Sequence, residues 1–250
     1  MTIGMIFAAG LGTRLRPFTL HHPKAMVEVD GHPMLRNVID RMTSAGINDI
    51  VVNVHHFAEQ IIDYLNVLKL PGVKFYVSDE SDQLLDTGGG LLKACPLLEQ
   101  ADCVVSYNAD VWCDLDLDSF IAIHSQSKAD VTLAVAERKS SRALYFNEDH
   151  RLCGWQNLST RQMKPDGFSP TSAMLQRAYS GIQAFVPGRV LPQLAEYSVG
   201  AGPVFSIIPF YLAKLEELDI KGYDLSPSVN WFDVGKPETL AEARAFAAID

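Results

Sequence analysis

The feature of this chain that most constrains its fold is an alternation of apolar, strand-like runs with amphipathic, helix-like stretches. Short apolar runs are typical of buried strands, and the stretches between them have the apolar spacing of helices. The first half of the chain contains predicted strands at 4–9, 49–54, 73–77, 103–107 and 131–136, and predicted helices at 35–45, 58–65, 89–98 and 117–125. Because strands that alternate with helices pair in parallel, we predict a Rossmann-like α/β architecture.

The second half of the chain is less regular. Residues 137–174 are more polar and contain only short strand-like pieces, after which a strand is predicted at 179–186 and a final helix at 237–248. We therefore expect a mixed, mainly parallel sheet flanked by helices. The polar segment is predicted to form a lid or a small subdomain beside it.

A glycine turn rich in cations follows the first predicted strand directly. Residues 8–24 read Ala-Ala-Gly-Leu-Gly-Thr-Arg-Leu-Arg-Pro-Phe-Thr-Leu-His-His-Pro-Lys. Gly10 and Gly12 let backbone amides approach an oxyanion, and Arg14 and Lys24 can donate charge-assisted hydrogen bonds to phosphate oxygens. A Rossmann fingerprint would need glycine where Leu15 stands, and a Walker loop would need Gly-Lys-Ser/Thr. The turn is therefore predicted to bind a polyphosphate in another way, although an ordinary turn with surface cations is the alternative.

Two carboxylates are candidates for a metal site. Asp110 follows the apolar run 104–107, where an open α/β sheet places its chemistry, and Asp233 lies in Trp-Phe-Asp-Val-Gly. Mg²⁺ prefers oxygen ligands and is usually held by one or two carboxylates together with substrate phosphates. We predict that Asp110 binds Mg²⁺ with at most one distant carboxylate partner, for which Asp233 is a candidate. A capping or turn role is the alternative for an Asp after a strand.

A second glycine cluster, Leu-Asp-Thr-Gly-Gly-Gly at 85–90, precedes a predicted helix. The amino end of that helix would face the same strand-end crevice as the first loop. We interpret the cluster as the floor of a site for a flat base, and a tight turn is the alternative.

Together these segments resemble the signature of the sugar-1-phosphate nucleotidyltransferases, Ala-Gly-x-Gly-Thr-Arg-Leu-x-Pro-x-Thr followed by Pro-Lys. The resemblance implies a nucleotide-diphospho-sugar transferase-like fold and Mg²⁺-dependent transfer of a nucleotidyl group from an NTP to a sugar 1-phosphate, with release of pyrophosphate. It implies catalytic roles for Arg14 and Lys24 and a metal site at Asp110 and Asp233. The remaining residues that it implies bind the nucleotide, namely Ala9, Gly10, Gly12, Thr13, Arg14, Glu80, Asp86, Gly88 and Gly89, or the sugar, namely Asn108 and Gly181.

The form Asp-Thr-Gly-Gly-Gly is similar to the subgroup that acts on N-acetylmuramate 1-phosphate, which makes UTP the favoured nucleotide. Many other members carry Val-Glu-Lys-Pro, and here Gly-Trp-Gln-Asn stands at 154–157 instead. This departure argues against the hexose-1-phosphate thymidylyl- and uridylyltransferases. Guanylyltransferases for mannose or heptose 1-phosphate, cytidylyltransferases for phosphocholine or a phosphonate, and a non-catalytic nucleotide-sensing subunit remain alternatives.

Charge, apolar runs and cysteine content limit the partners and the domain organisation that can be expected for this chain. The net charge of −9 argues against an extended nucleic-acid surface, and no apolar run reaches the roughly 20 residues that span a bilayer. With no signal-peptide pattern and no paired cysteine motif, we expect a cytoplasmic monomer or small homo-oligomer that binds small molecules. One domain, 1–250, is predicted, with a looser division into a nucleotide-binding half, 1–135, and a sugar-binding half, 136–250.

Overall fold

A ten-stranded mixed sheet forms the centre of the computed structural model, which describes residues 1–248. The strands are β1 (Thr2–Phe7), β2 (Glu28–Val29), β3 (His32–Pro33), β4 (Asp49–Val54), β5 (Lys74–Asp79), β6 (Cys103–Asn108), β7 (Val111–Cys113), β8 (Val131–Ala136), β9 (Arg142–Phe146), β10 (Leu152–Asn157), β11 (Met163–Lys164), β12 (Leu175–Phe185), β13 (Ile220–Asp224) and β14 (Trp231–Asp233). The helices are α1 (Met34–Ser44), α2 (Ala58–Val67), α3 (Asp86–Lys93), α4 (Cys95–Leu98), α5 (Leu117–Ser127), α6 (Pro187–Ala201), α7 (Ile207–Ala213) and α8 (Pro237–Ala247). Short 3₁₀ turns occupy Thr13–Leu15, Phe18–Leu20 and Lys24–Met26.

The strand order is β11-β10-β9-β12-β6-β1-β4-β5, and β8 and β13 join along the carboxyl-terminal part of β12. The strands β1, β4, β5 and β6 are mutually parallel, as predicted. In the whole sheet only β10 and β12 run against the others. The predicted α/β fold with a mixed, mainly parallel sheet is therefore confirmed.

Helices cover both faces of the sheet because alternate strand residues point to opposite faces and both sets are apolar. On one face, Ile6, Val52 and Val105 pack in one core with α1, α2 and α5. On the other face, Met5 and Val51 pack in a second core with α3, α6 and α7. This two-sided burial explains why these strands read as nearly continuous apolar runs.

The polar segment after residue 136 extends the sheet. It contributes β9, β10 and β11, which pair in antiparallel order beyond the first residues of β12. The long strand β12 joins this extension to the rest of the sheet, because its first residues pair with β9 and its last with β6 and β8. The sequence pattern had identified the strand but not its direction or its bridging position.

The second glycine cluster lies inside a helix. Residues 88–90 belong to the first turns of α3, which begins at Asp86, so the predicted start of this helix at 89 was three residues late. Within residues 1–248, no helix is both long and apolar enough to cross a membrane.

Candidate active site

Two adjoining cavities open at the edge of the sheet where the parallel strands end. The first, of about 370 Å³, is called here the inner cleft and is lined by residues at the ends of β1, β4 and β6, by the glycine loop and by the start of α3. The second, of about 960 Å³, is called the outer cleft and lies toward β12, β14 and the β9–β11 extension. The two clefts share Asp86, Asn108 and Asp110. Two substrates bound side by side would therefore meet at this boundary.

A buried polar network holds the floor of the inner cleft. Asn53, at 2% exposure, accepts hydrogen bonds from the amides of Ala8 (2.7 Å) and Ala9 (3.3 Å) through Oδ1. Its Nδ2 donates to Oε1 of Glu80 (2.6 Å), whose Oε2 accepts from the amide of Leu85 (3.1 Å). Glu80 is fully buried, and burial raises the pKa of its carboxyl. The network ties the end of β1 to the segment before α3 and thereby fixes the cleft.

Glu80 lines the floor of the inner cleft with both carboxylate oxygens already bonded. This geometry gives it a supporting position, and its predicted contact with a nucleotide stays a prediction. The signal for the network was present in the sequence, because an amide at position 53 interrupts the apolar strand 49–54 and needs buried partners.

The glycine loop wraps around Lys24. Gly12 has a φ of +61°, and a Cβ there would lie 2.8 Å from Cγ2 of Thr19 and 2.9 Å from Cβ of Lys24. The buried Thr19 hydroxyl donates to the carbonyl oxygen of Gly12 (2.8 Å) and closes the loop. Gly10 and Gly12 line the inner cleft with Ala9, whereas Thr13 lines neither cavity. Glycine is required at position 12 because both its conformation and its neighbours exclude a side chain.

Two carboxylate–cation contacts mark the boundary of the clefts. Lys24 donates to Oδ2 of Asp110 in an ion pair, and Arg14 Nη2 lies 3.9 Å from Oδ2 of Asp233. The ribbon of β7 and β14 brings the two carboxylates to the same place, since Asp233 is in register with Val111 and the amide of Val234 donates to the carbonyl oxygen of Asp110 (2.9 Å). The residues predicted to bind metal and the predicted catalytic cations are therefore adjacent.

These residues fit a magnesium ion. Within residues 1–248 there is no cluster of three or more His, Cys, Asp and Glu side chains that would enclose a metal. Asp110 and Asp233 keep 28% and 36% of their side chains exposed and offer only oxygen ligands. A site of this kind suits Mg²⁺, which retains waters and takes further oxygens from substrate phosphates.

The two residues predicted for the sugar are in direct contact. Gly181 lies where the pairing of β12 with β8 is interrupted and has a φ of +79°. A Cβ at this position would lie 2.9 Å from Nδ2 of Asn108 and 3.0 Å from Cγ2 of Val111. Asn108 and Gly181 both line the outer cleft. The absence of a side chain at Gly181 keeps the backbone of β12 close to the end of β6.

The two glycines predicted for the base face away from the clefts. Gly88 and Gly89 are buried, and their amides donate to the carbonyl oxygen of Phe205 at 2.8 and 3.1 Å. Neither lines the inner cleft, whereas Asp86 and Thr87 do. The glycines serve the close approach of α3 to residues 203–205, and their role in base binding stays a prediction. Asp86, at the start of α3, remains at the cleft.

Arg138 is a site residue that sequence reasoning missed. Its guanidinium carbon lies 3.8 Å from the centre of the Trp231 ring, and its Nη2 donates to the carbonyl oxygen of Tyr179 (2.7 Å). Nε is buried and has no hydrogen-bond partner in the described part of the chain. Burial lowers the pKa of the guanidinium, and the charge of Asp233 opposes that shift. Arg138 is thus a desolvated cation on the wall of the outer cleft.

Trp231 orients Arg138. Its indole Nε1 donates to the carbonyl oxygen of Ser180 (2.8 Å), so the ring is fixed between β14 and β12. The pairing of an arginine in the segment after β8 with a tryptophan in β14 joins residues almost a hundred positions apart. No spacing in the sequence predicts this contact.

The comparisons with known proteins agree with this geometry. The sequence profile of the family described as "Nucleotidyl transferase" matches residues 3–147. The chain is 29% identical to the N-acetylmuramate alpha-1-phosphate uridylyltransferase of Caulobacter vibrioides, over 97% of this chain and 96% of the relative. It is also 29% identical to the protein of that name from Neisseria meningitidis serogroup B, over 97% of each chain.

The fold has close solved neighbours as well. A Bacillus anthracis crystal structure containing sucrose superposes with a TM-score of 0.82 at 18% identity, over 99% of this chain and 95% of that chain. At this identity the likeness concerns the fold alone. The family match covers more than half of the chain and includes the glycine loop, Lys24 and Asp110. The resemblance found in the sequence is confirmed, and the chain belongs to the nucleotidyl transferase family.

Proposed function

We propose that this protein transfers a uridylyl group from UTP to N-acetylmuramate 1-phosphate and releases pyrophosphate, with Mg²⁺ held by Asp110 and Asp233. The observation that carries the proposal is the meeting of the inner and outer clefts at Asp110, beside Lys24. Uridylyltransferases for N-acetylmuramate alpha-1-phosphate that match this chain over nearly its full length support the choice of substrates.

In the proposed reaction, an oxygen of the sugar phosphate attacks the α-phosphorus of UTP. A new P–O bond forms, the bond between the α-phosphorus and the bridging oxygen breaks, and pyrophosphate leaves with that oxygen. The attacking phosphate is already anionic near neutral pH, so no general base is needed. The protein's task is to hold the two phosphate groups in line and to neutralise their charge.

Different residues around the clefts would bind different parts of the two substrates. The loop of Gly10 and Gly12 would carry the triphosphate, with Asp86 and Thr87 beside the base. Lys24 would leave Asp110 and bind phosphate oxygens when substrates and Mg²⁺ enter, and Arg14 would act similarly beside Asp233. Mg²⁺ supplies positive charge for the phosphates of both substrates when it is bound. Asn108 and Gly181 would meet the sugar.

The first test is a matrix of nucleotides and acceptors with Mg²⁺, followed by release of pyrophosphate. UTP, GTP, CTP, dTTP and ATP would each be paired with N-acetylmuramate, N-acetylglucosamine, mannose, glucose and heptose 1-phosphates and with phosphocholine. We expect the highest kcat/KM for UTP with N-acetylmuramate 1-phosphate. A different best pair would replace the proposed substrates, and no release in any pair would contradict nucleotidyl transfer to these acceptors.

We expect replacement of Arg138 by methionine to weaken the use of the sugar phosphate. Removing a desolvated cation from the wall of the outer cleft, where the sugar phosphate is proposed to bind, should lower kcat/KM for the acceptor by about tenfold or more, because charged hydrogen bonds contribute roughly 1.5–3 kcal/mol. The KM for UTP should change much less. Initial rates at varied acceptor and at varied UTP concentrations measure both quantities.

Arg41→Met is the matched control for this prediction. Arg41 also stacks on a tryptophan, Trp112, at 5.5 Å, but it lines neither cleft. Its loss should affect stability without an effect on acceptor use. Equal kinetic losses in both variants would show that Arg138 acts only through packing.

A further inference from the structure

One wall of the outer cleft is formed by the β9–β11 extension, and its side chains share one face of the sheet. In register, Trp155 of β10 lies between Leu144 of β9 and Lys164 of β11, and Asn157 lies opposite Arg142. Directly paired residues share a face of a sheet, and so do residues two positions apart on one strand. These five residues therefore lie on one face, and all of them line the outer cleft. We call this surface the extension wall.

The chemistry of the extension wall suits a charged sugar. Trp155, which packs against the core that contains the buried Leu144, forms its apolar centre, on which the C–H face of a ring could stack. Arg142 and Lys164 lie on either side of this centre, and neither pairs with a carboxylate in the part of the chain that the structure describes. Uncompensated cations at the wall of a cavity favour an anionic ligand, notably in a chain whose net charge is −9.

Hydrogen bonds within the extension hold the wall in place. Oδ1 of Asn157 accepts hydrogen bonds from the amides of Ser159 (3.0 Å) and Thr160 (3.1 Å), which fixes the turn between β10 and β11. The amide of Asn157 donates to the carbonyl oxygen of Gln162 (2.8 Å) and closes the same turn. The strand positions of Arg142 and Lys164 are therefore set by the fold.

The phosphates of both substrates have a separate set of cations. Arg14, Lys24 and Arg138 surround the two carboxylates at the boundary of the clefts, where the reacting phosphorus must lie. Arg142 and Lys164 belong instead to strands of the extension. With the reacting phosphates assigned to the boundary, Arg142 and Lys164 are available to a second acidic group on the acceptor.

We propose that the extension wall binds a carboxylate carried by the acceptor sugar, at a distance from its phosphate. This inference rests on the proposed function. N-acetylmuramate 1-phosphate has such a group in its lactyl ether, and N-acetylglucosamine 1-phosphate is the same sugar phosphate without it. The wall would thus select the acidic acceptor, with its ring against Trp155 and its carboxylate between Arg142 and Lys164.

The test compares the binding of these two sugar phosphates by isothermal titration calorimetry in the absence of nucleotide. The wild-type protein is expected to bind N-acetylmuramate 1-phosphate about tenfold tighter or more, which is the factor that a charge-assisted contact supplies. In the double variant Arg142→Gln/Lys164→Gln this ratio is expected to fall to near one. The control is Arg161→Gln, because Arg161 lies in the same hairpin turn, is exposed and does not line the cleft. It should retain the wild-type ratio.

The possible outcomes distinguish an error in the inference about the wall from an error in the proposed function. A wild-type protein without preference, or a double variant that keeps the preference while remaining folded by its Tm, overturns the inference. Preferential binding without pyrophosphate release from UTP leaves the wall intact and contradicts the proposed function. Pyrophosphate release without preferential binding supports the proposed function and overturns the inference about the wall. Failure to bind either sugar phosphate also overturns the inference about the wall.

Discussion

Replacing Asp110 by asparagine is expected to lower kcat for pyrophosphate release by about 100- to 1,000-fold, the range found when one preorganised electrostatic contact to a transition state is removed. Asp110 is the one metal-ligand candidate that lines both clefts, so its carboxylate would hold Mg²⁺ where the two phosphates meet. An amide of the same size keeps the shape and removes the charge. The Mg²⁺ concentration for half-maximal rate should rise in the same variant.

The ion pair with Lys24 provides a second readout for this prediction. Lys24 is bonded to Asp110, and the lysine side chain is only 11% exposed. The asparagine variant releases this cation from a carboxylate that competes with phosphate. Metal-free UTP should therefore bind as tightly as in the wild type or more tightly, as measured by calorimetry.

Asp118→Asn is the control for the Asp110 variant. Asp118 is an exposed carboxylate in the first turn of α5 and lines neither cleft. Its neutralisation should leave kcat and metal dependence unchanged. If Asp110→Asn kept wild-type turnover and wild-type Mg²⁺ dependence, the proposed metal role of Asp110 would be wrong.

The strands and the edge on which they end could be predicted from the sequence because these properties are local. Apolar runs reveal buried strands, and the carboxyl ends of parallel strands necessarily meet at one edge. This is why Gly10 and Asp110 were expected together, and the structure brings them together. Asp233 could be added only through the resemblance, since its approach depends on the pairing of β14 with β7.

The remaining parts of the site depend on contacts that no local pattern reports. The stacking of Arg138 on Trp231 requires two distant segments to meet beside β12. The direction of β12 could not be predicted from the sequence either, because side-chain alternation is the same in parallel and antiparallel strands. Gly88 and Gly89 were assigned to the base from their place before a predicted helix and from the resemblance. The tertiary contact with residues 203–205 that accounts for them was not available from the sequence.

That contact gives the second large expected effect, a marked loss of stability in Gly89→Ala. A Cβ on Gly89 would lie 2.1 Å from the carbonyl oxygen of Pro203, a backbone atom that cannot rotate away. The helix α3 or the segment 203–205 must shift, and overpacking of this kind costs about 1–3 kcal/mol. In an unconstrained helix the same substitution would stabilise by roughly 0.5–1 kcal/mol. A lower free energy of unfolding in Gly89→Ala would therefore indicate the contact with Pro203, whereas a higher one would indicate that the contact is absent.

Gly200→Ala is the matched variant, because Gly200 also lies in a helix, α6, and a Cβ there would meet no atom within 4 Å. Urea unfolding should give a lower free energy of unfolding for Gly89→Ala and an equal or higher one for Gly200→Ala. Equal stability of the two variants would mean that α3 does not pack on Pro203. The inner cleft would then lack the support that this packing gives to Asp86 and Thr87, since both lie in the same turn of α3 as the glycines.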